Sequence, residues 1–263
     1  MEKRPDRKRT LPGYLRDYEL NPSKKQKLNG FEMTRNGTKI PEKVESVLIK
    51  DSVTNIKDYT FYKRTSLTSV EIPSSVTMIG KHAFQECTSL KSITLHVGVT
   101  SIGENAFTCC TSLESVEIPS SVTNIGNGAF YGCTSLESVK IPSSVVEVEA
   151  TAFAGCTKLT SVKFTPKSKV TIIKPRAFKN CTSLTSVEIP SSVTIIGIGA
   201  FEGCSSLTSL EIPSSVTMIG ENAFLGCSSL TSVNIPSSVK NIGKHAFREC
   251  SALTSVEIPD GVT

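Results

Sequence analysis

Residues 110–130 read CTSLESVEIPSSVTNIGNGAF, and the same phrase returns along most of the chain. Aligning the copies on their final phenylalanine picks out Phe61, Phe84, Phe107, Phe130 and Phe153, then Phe178, Phe201, Phe224 and Phe247. The spacing is 23 residues throughout, except for 25 between Phe153 and Phe178. The two extra residues fall within 163–170, where a bulged loop is expected. Three residues after each Phe stands a cysteine, from Cys87 to Cys250, with only Arg64 breaking the column. Leu, Val and Ile columns follow at fixed offsets, as in Leu113, Val116 and Ile118. A degenerate half-repeat precedes them, with Val47, Ile49, Val53 and Ile56 in the places of Val70, Ile72, Val76 and Ile79.

A unit of this size cannot bury its own apolar face, but stacked copies bury one another's. Ser-Leu-x-Ser-Val-x-Ile-Pro alternates apolar and polar side chains, the pattern of a short strand. The proline lacks an N–H and ends it. Ile-Gly reads as a turn. The x-x-Ala-Phe-x-x-Cys stretch places Ala, Phe and Cys at helix-like spacing, which predicts a short helix or 3₁₀ segment on the opposite side.

Those columns resemble the BspA-like leucine-rich repeats of treponemal type, over roughly residues 44–263. The resemblance implies a repeat solenoid: a right-handed leucine-rich-repeat superhelix with a parallel β-sheet on one face. Short helical or 3₁₀ turns, or loops, are expected on the other. It also implies an interaction surface, often a surface adhesin of bacteria or protists, without intrinsic catalysis. Two departures accompany it. No export signal is seen, and the chain stops at Asp260-Gly261-Val262-Thr263 within a unit. That end leaves three readings open: a fragment, a frayed end, or continuation by self-association through an open edge.

Composition narrows the chemistry. Of 263 residues, 38% are apolar, none is Trp, 6% are aromatic and three are His. This apolar content disfavours a wholly disordered chain. Scarce aromatics disfavour a stacking surface for sugars or bases, and scarce histidines a zinc or acid–base site. No apolar run approaches a membrane span. Residues 1–30 hold nine Lys and Arg against four Asp and Glu, an excess that equals the whole net charge of +5. The remainder is neutral, which argues against a nucleic-acid surface there; weak contact through the tail is the exception. The expected organisation is a basic disordered tail, residues 1–40, and a solenoid, residues 41–263. Lys24, Lys25 and Lys27 have the form of a nuclear-import signal, with a merely solubilising tail as the alternative.

The eight periodic cysteines read as small buried hydrophobes, weighed against a disulfide framework or a metal ladder. Free thiols and the basic start together predict an intracellular protein, cytoplasmic or nuclear. Cys109 is the most reactive candidate if it points outward. His82 and His245 share a column with Asn and Gly, so neither reads as a ligand. No nucleophile is singled out from the periodic Ser and Cys, no phosphate loop is present, and no cofactor, metal or small-molecule substrate is expected.

The candidate binding surface is the outward column of the strand: Glu71, Glu117, Lys140, Lys163, Glu188, Glu211 and Glu257. Stacked like charges repel unless a partner covers them, so a protein with a basic segment is the expected partner. The bland alternative is a solubilising face on a recently duplicated unit. A Thr and Ser ladder also suggests ice binding, but Glu and Lys interrupt it. The leading function is a non-catalytic protein-interaction scaffold. The alternatives are a cell-surface adhesion protein and the recognition part of a larger signalling enzyme complex.

Overall fold

The computed structural model describes residues 30–263. They form a parallel β-solenoid in which each repeat is one coil, and no helix occurs among them. Each coil contributes a strand to two separate faces. The first face carries the expected strands, such as Ser69–Glu71, Ser115–Glu117 and Ser138–Ile141. Val70 and Val116 point inward and are buried, while the flanking Ser and Glu are exposed. Pairing is parallel and keeps identical residues in register: Ser138↔Ser161, Val139↔Val162, Lys140↔Lys163. This face divides into four sheets of two or three strands. Backbone bonds cross two of the divisions, from Glu137 N–H to Glu114 O and from Thr208 N–H to Thr185 O.

The second face is a continuous nine-stranded sheet of two-residue strands, from Asn55–Ile56 to Asn241–Ile242. Sequence reading had this Ile-Gly stretch as a turn. The isoleucine instead sits in a ladder, Ile56↔Ile79 and Ile79↔Ile102, and the glycine follows it at a close approach of backbones. A Cβ on Gly103 would lie 2.6 Å from the Gly80 carbonyl carbon, so no larger residue fits without moving a coil.

The expected helix or 3₁₀ segment is replaced by a run of turns. Alternate N–H groups reach the next coil, as in Tyr59 N–H to Lys81 O, Phe61 N–H to Ala83 O and Lys63 N–H to Gln85 O. The N–H groups between them close local turns, such as Tyr62 to Tyr59 O. This alternation requires left-handed backbone two residues before and two after each phenylalanine. It is met by His82 and Glu86 (φ 54° and 60°) and by Gly128 and Gly132 (φ 60° and 68°). Left-handed φ is incompatible with a continuing right-handed helix, so the fold spends these N–H groups between coils.

Inside, the phenylalanines form one stack from Phe61 to Phe247. Ring centroids are 4.7 to 5.6 Å apart and planes are within about 11°. The spacing follows the ~4.8 Å rise between strands. Offset stacks of this kind add about 0.5–1.5 kcal/mol per pair beyond area burial. Phe61 through Phe224 are fully buried, and Phe247 is partly covered.

The sheet begins earlier than expected. Gly30–Met33 lies in the stretch assigned to the tail, yet it pairs in parallel with Ser46–Ile49, and Met33 is fully buried. At the other end, residues 253–258 form no strand. The import-signal candidates Lys24, Lys25 and Lys27 lie outside the described residues.

Candidate functional site

Several of the periodic polar columns have structural partners. Ser121 and Ser144 hydroxyls donate to Val99 O and Val122 O at 2.6 Å, and Ser75, Ser192, Ser215 and Ser238 repeat the bond. Where one coil has His96-Val97-Gly98 instead, the Gly98 N–H donates to Ser121 Oγ. Thr160, Thr185, Thr208 and Thr231 hydroxyls each donate to the backbone of the preceding coil.

The cysteines behave alike. Each Sγ of the column donates to the carbonyl of a phenylalanine in the preceding coil, at 3.0 Å for Cys87 to Phe61 and 3.1 Å for Cys133 to Phe107. All nine cysteines are free thiols, and the eight of the column are buried. Burial pushes Cys87, Cys181 and Cys227 up to about 12, so none is a thiolate at neutral pH. Arg64 replaces cysteine in the first full coil and does the same work, donating two guanidinium bonds to Ile40 O. Cys109 sits at a left-handed position, half-exposed, with φ 58°. Burial, then the nearby Glu86 carboxylate, raises its thiol too, so it is a poor nucleophile. His82 stacks on Tyr59 at 4.7 Å, and its Nδ1 lies 2.5 Å from Gln85 Oε1. His245 is exposed.

The outward column stands apart. Glu71, Glu117, Lys140, Lys163, Glu188 and Glu211 are all exposed on the first face. Lys140 lies beside Lys163 in register, and Glu188 beside Glu211. Glu71 has Leu48 as neighbour, Glu117 has Thr94, and Glu211 has Asn234. Glu257 is exposed but lies beyond the last front strand, Ser232–Asn234. Among the described residues these seven side chains form no ion pair or hydrogen bond; the ion pairs lie elsewhere, such as Lys179–Glu202 at 2.9 Å. The face is acidic toward both ends and basic in the middle.

A feature that sequence reading did not draw out lies beside that basic middle. From 150 to 187 the chain has no Asp or Glu but seven Lys and Arg. Two of these are paired, Lys174 with Glu147 and Lys179 with Glu202. The charge run was legible as a local excess hidden in a neutral total.

The repeat geometry agrees with the comparisons. The model of the BspA type leucine-rich repeat region, in six copies, matches residues 39–160 and 147–263. The chain belongs to the BspA type leucine-rich repeat family. No curated protein matches it. Among solved structures it is similar to a leucine rich cell surface protein of Faecalibacterium prausnitzii, at 29% identity over 81% of this chain and 79% of that one, TM-score 0.44. A leucine-rich repeat protein of Bacteroides ovatus is 30% identical over 87% of this chain and 79% of its own, TM-score 0.37. The T. pallidum leucine-rich repeat protein is 23% identical over 88% and 76%, TM-score 0.34.

The expectation of an intracellular protein, cytoplasmic or nuclear, is corrected by this family assignment. The physical reason lies in the thiols. Oxidation runs through exposed thiolates, and a buried ladder with raised pKa values does not report its compartment. Among the described residues no helix is long and apolar enough to cross a membrane.

Proposed function

We propose that this BspA type repeat protein is a non-catalytic interaction protein of the cell surface that binds a protein partner through its first face. One observation carries the reading. The serines that follow the strand-ending proline, the strand-entry threonines and the column cysteines are occupied in bonds between coils, whereas Glu71, Glu117, Lys140, Lys163, Glu188 and Glu211 bond to nothing among the described residues and vary in sign. Stacked like charges at Lys140–Lys163 and Glu188–Glu211 are unfavourable in the free protein and are relieved by an opposite charge laid across them. The complementary partner is a basic segment with an acidic group near its centre. A preformed sheet lowers the ordering cost of binding.

The test has two parts. Intact cells are labelled with an impermeant antibody, and labelling only after permeabilisation contradicts surface display. The full chain and a form with Glu71, Glu117, Glu188, Glu211 and Glu257 changed to Gln are compared for partner binding across a salt series. The proposal expects weaker binding and a flatter salt slope in the variant. Unchanged affinity and slope mean that the face is a solubilising surface.

A further inference from the structure

The charged column of the first face is complementary to itself. From the coil of Phe107 to that of Phe224 it runs Glu117, Lys140, Lys163, Glu188, Glu211, Asn234. All six side chains are exposed. Parallel pairing holds Lys140 beside Lys163 and Glu188 beside Glu211, so the fold fixes the order of charge. Between these two like pairs the front ladder is open. Pairing stops at Val162↔Val187, and beyond Val187 the chains part and leave a small cleft. A second copy can lie face to face on the first, turned about a twofold axis that runs along the strand direction between the coils of Lys163 and Glu188. That rotation reverses the order of coils and sets each column against itself. Lys163 then meets Glu188 of the second copy, and Lys140 meets its Glu211. Symmetry repeats both pairs, which makes four. Glu117 meets Asn234. The threonine column conforms: Thr160 meets Thr185, Glu137 meets Thr208 and Glu114 meets Thr231. No like charges face each other in these two columns across the six coils. Moving the axis half a coil either way sets Lys163, or Glu188, against itself.

We infer that the partner of the first face is a second copy of this chain, bound in that antiparallel register. The inference rests on the reading of the face as a protein interface and names its partner. Each like-charged pair that repels in the single chain, Lys140–Lys163 and Glu188–Glu211, receives the opposite pair from the other copy. A uniformly basic segment leaves the two lysines facing cations. The second copy brings acids to the lysines and lysines to the acids. Exposed ion pairs are individually weak, and the Ser and Thr rows between them add little apolar area. The association is therefore reversible, with a dissociation constant on the order of 100 μM at low salt. In dilute solution the chain is single and its column idle.

The experiment is sedimentation equilibrium of the full chain beside two charge-swapped forms: Lys140→Glu with Lys163→Glu, and Glu188→Lys with Glu211→Lys. All four positions are exposed, and circular dichroism in dilute solution checks that each form is folded. If a double swap fails to fold, Lys163→Glu and Glu188→Lys alone carry the same test at the pairs nearest the axis. The natural chain is expected to dimerise, about tenfold more weakly when salt rises from about 20 to about 300 mM. Each swapped form alone should associate at least about tenfold more weakly, because it sets like charges across the axis. An equimolar mixture should recover the natural strength or better, since all four opposite pairs re-form between unlike partners. A carbodiimide, which joins a carboxylate to an amine, should link Lys140 to Glu211 between isotope-labelled and unlabelled chains; within one chain the two lie three coils, about 14 Å, apart. Three results overturn the inference: a natural chain that stays monomeric at about 1 mM and low salt, swapped forms that dimerise as the natural chain does, or a mixture no more associated than its parts. In each case the five-glutamine form of the preceding test still decides, by its own result, whether the face binds another protein.

Discussion

The coil from Cys110 to Gly132 and the coil from Cys156 to Asn180 are built from the same phrase and differ by two residues. In the first, the hydroxyls of Ser121 and Thr123 reach the preceding coil, the back strand pairs on both sides, and the front strand Ser115–Glu117 pairs with the coil before it, while a single backbone bond, Glu137 N–H to Glu114 O, leads to the next. In the second, the back sheet runs on undisturbed through Val148↔Ile173 and Ile173↔Ile196. On the front, pairing to the next coil is lost after two residues and one hydroxyl is left without a partner. The core and the back sheet absorb the insertion, and the front ladder is shortened there as it is interrupted between some regular coils. In a solenoid of near-identical coils, regular columns report stability, and departures from them are where a specific contact has room to form.

The strongest way to break this comparison is to ask whether the core really ignores the insertion. Phe130 has stacked neighbours at 5.2 Å on both sides, and Phe178 has them at 5.6 and 5.4 Å across the inserted coil. Phe130→Ala and Phe178→Ala should therefore cost the same, about 3–5 kcal/mol each. Denaturant unfolding measures this, and a clearly smaller loss for Phe178 would show that the insertion loosens the core.

A finer test removes the difference itself. Deleting Lys167 and Ser168 returns the unit to 23 residues. The front ladder should then extend to Lys163↔Glu188, with slower hydrogen exchange at Glu188 and Ile189 by about tenfold. Unchanged exchange would mean that side chains, not length, hold the strands apart.

The smallest effect concerns the glycine column of the back turn, which fails at Lys57 in the first coil and then at Glu149 and Lys174, on either side of the insertion. Burial, then a hydrogen bond from Glu147, raises the Glu149 carboxyl above its ordinary 4.5. A raised carboxyl adds stability below its ordinary value, and that contribution is lost as pH rises through the shifted one. Glu149→Gln should therefore gain slightly on the natural chain between pH 4 and pH 7, as thermal midpoints across pH would show. A constant difference would contradict the shift.

Much of this architecture was legible in the residues. The phenylalanine spacing alone defines the coil, and the Val and Ile columns place the front strands. The back sheet was not legible because Val76 and Ile79 are buried with two exposed residues between them, a spacing that matches neither strand nor helix. The turns were misread because Ala83, Phe84 and Cys87 mimic a helical stripe. The contrary signal was present in the Gly and Asn two residues either side of the phenylalanine, at Gly128, Gly132 and Asn222, but His82 and Glu86 mask it by adopting the same left-handed backbone. The charged column was read correctly as exposed. The cleft was not read, because a bulge in sequence does not say which strand it will part from its neighbour.

The central claim is that periodic hydroxyls hold the coils together while the charged column is idle in the free protein. A pair of thermal melts tests it most directly. In one variant Ser121, Ser144, Ser192 and Ser215 become Ala; in the other Glu71, Glu117, Glu188, Glu211 and Glu257 become Gln. Each serine bond contributes about 1 kcal/mol, so the first should melt roughly 10 °C lower. The second should melt at the natural midpoint or slightly above it, as the Glu188–Glu211 repulsion is relieved. A stable serine variant beside an unstable glutamine variant would contradict the account.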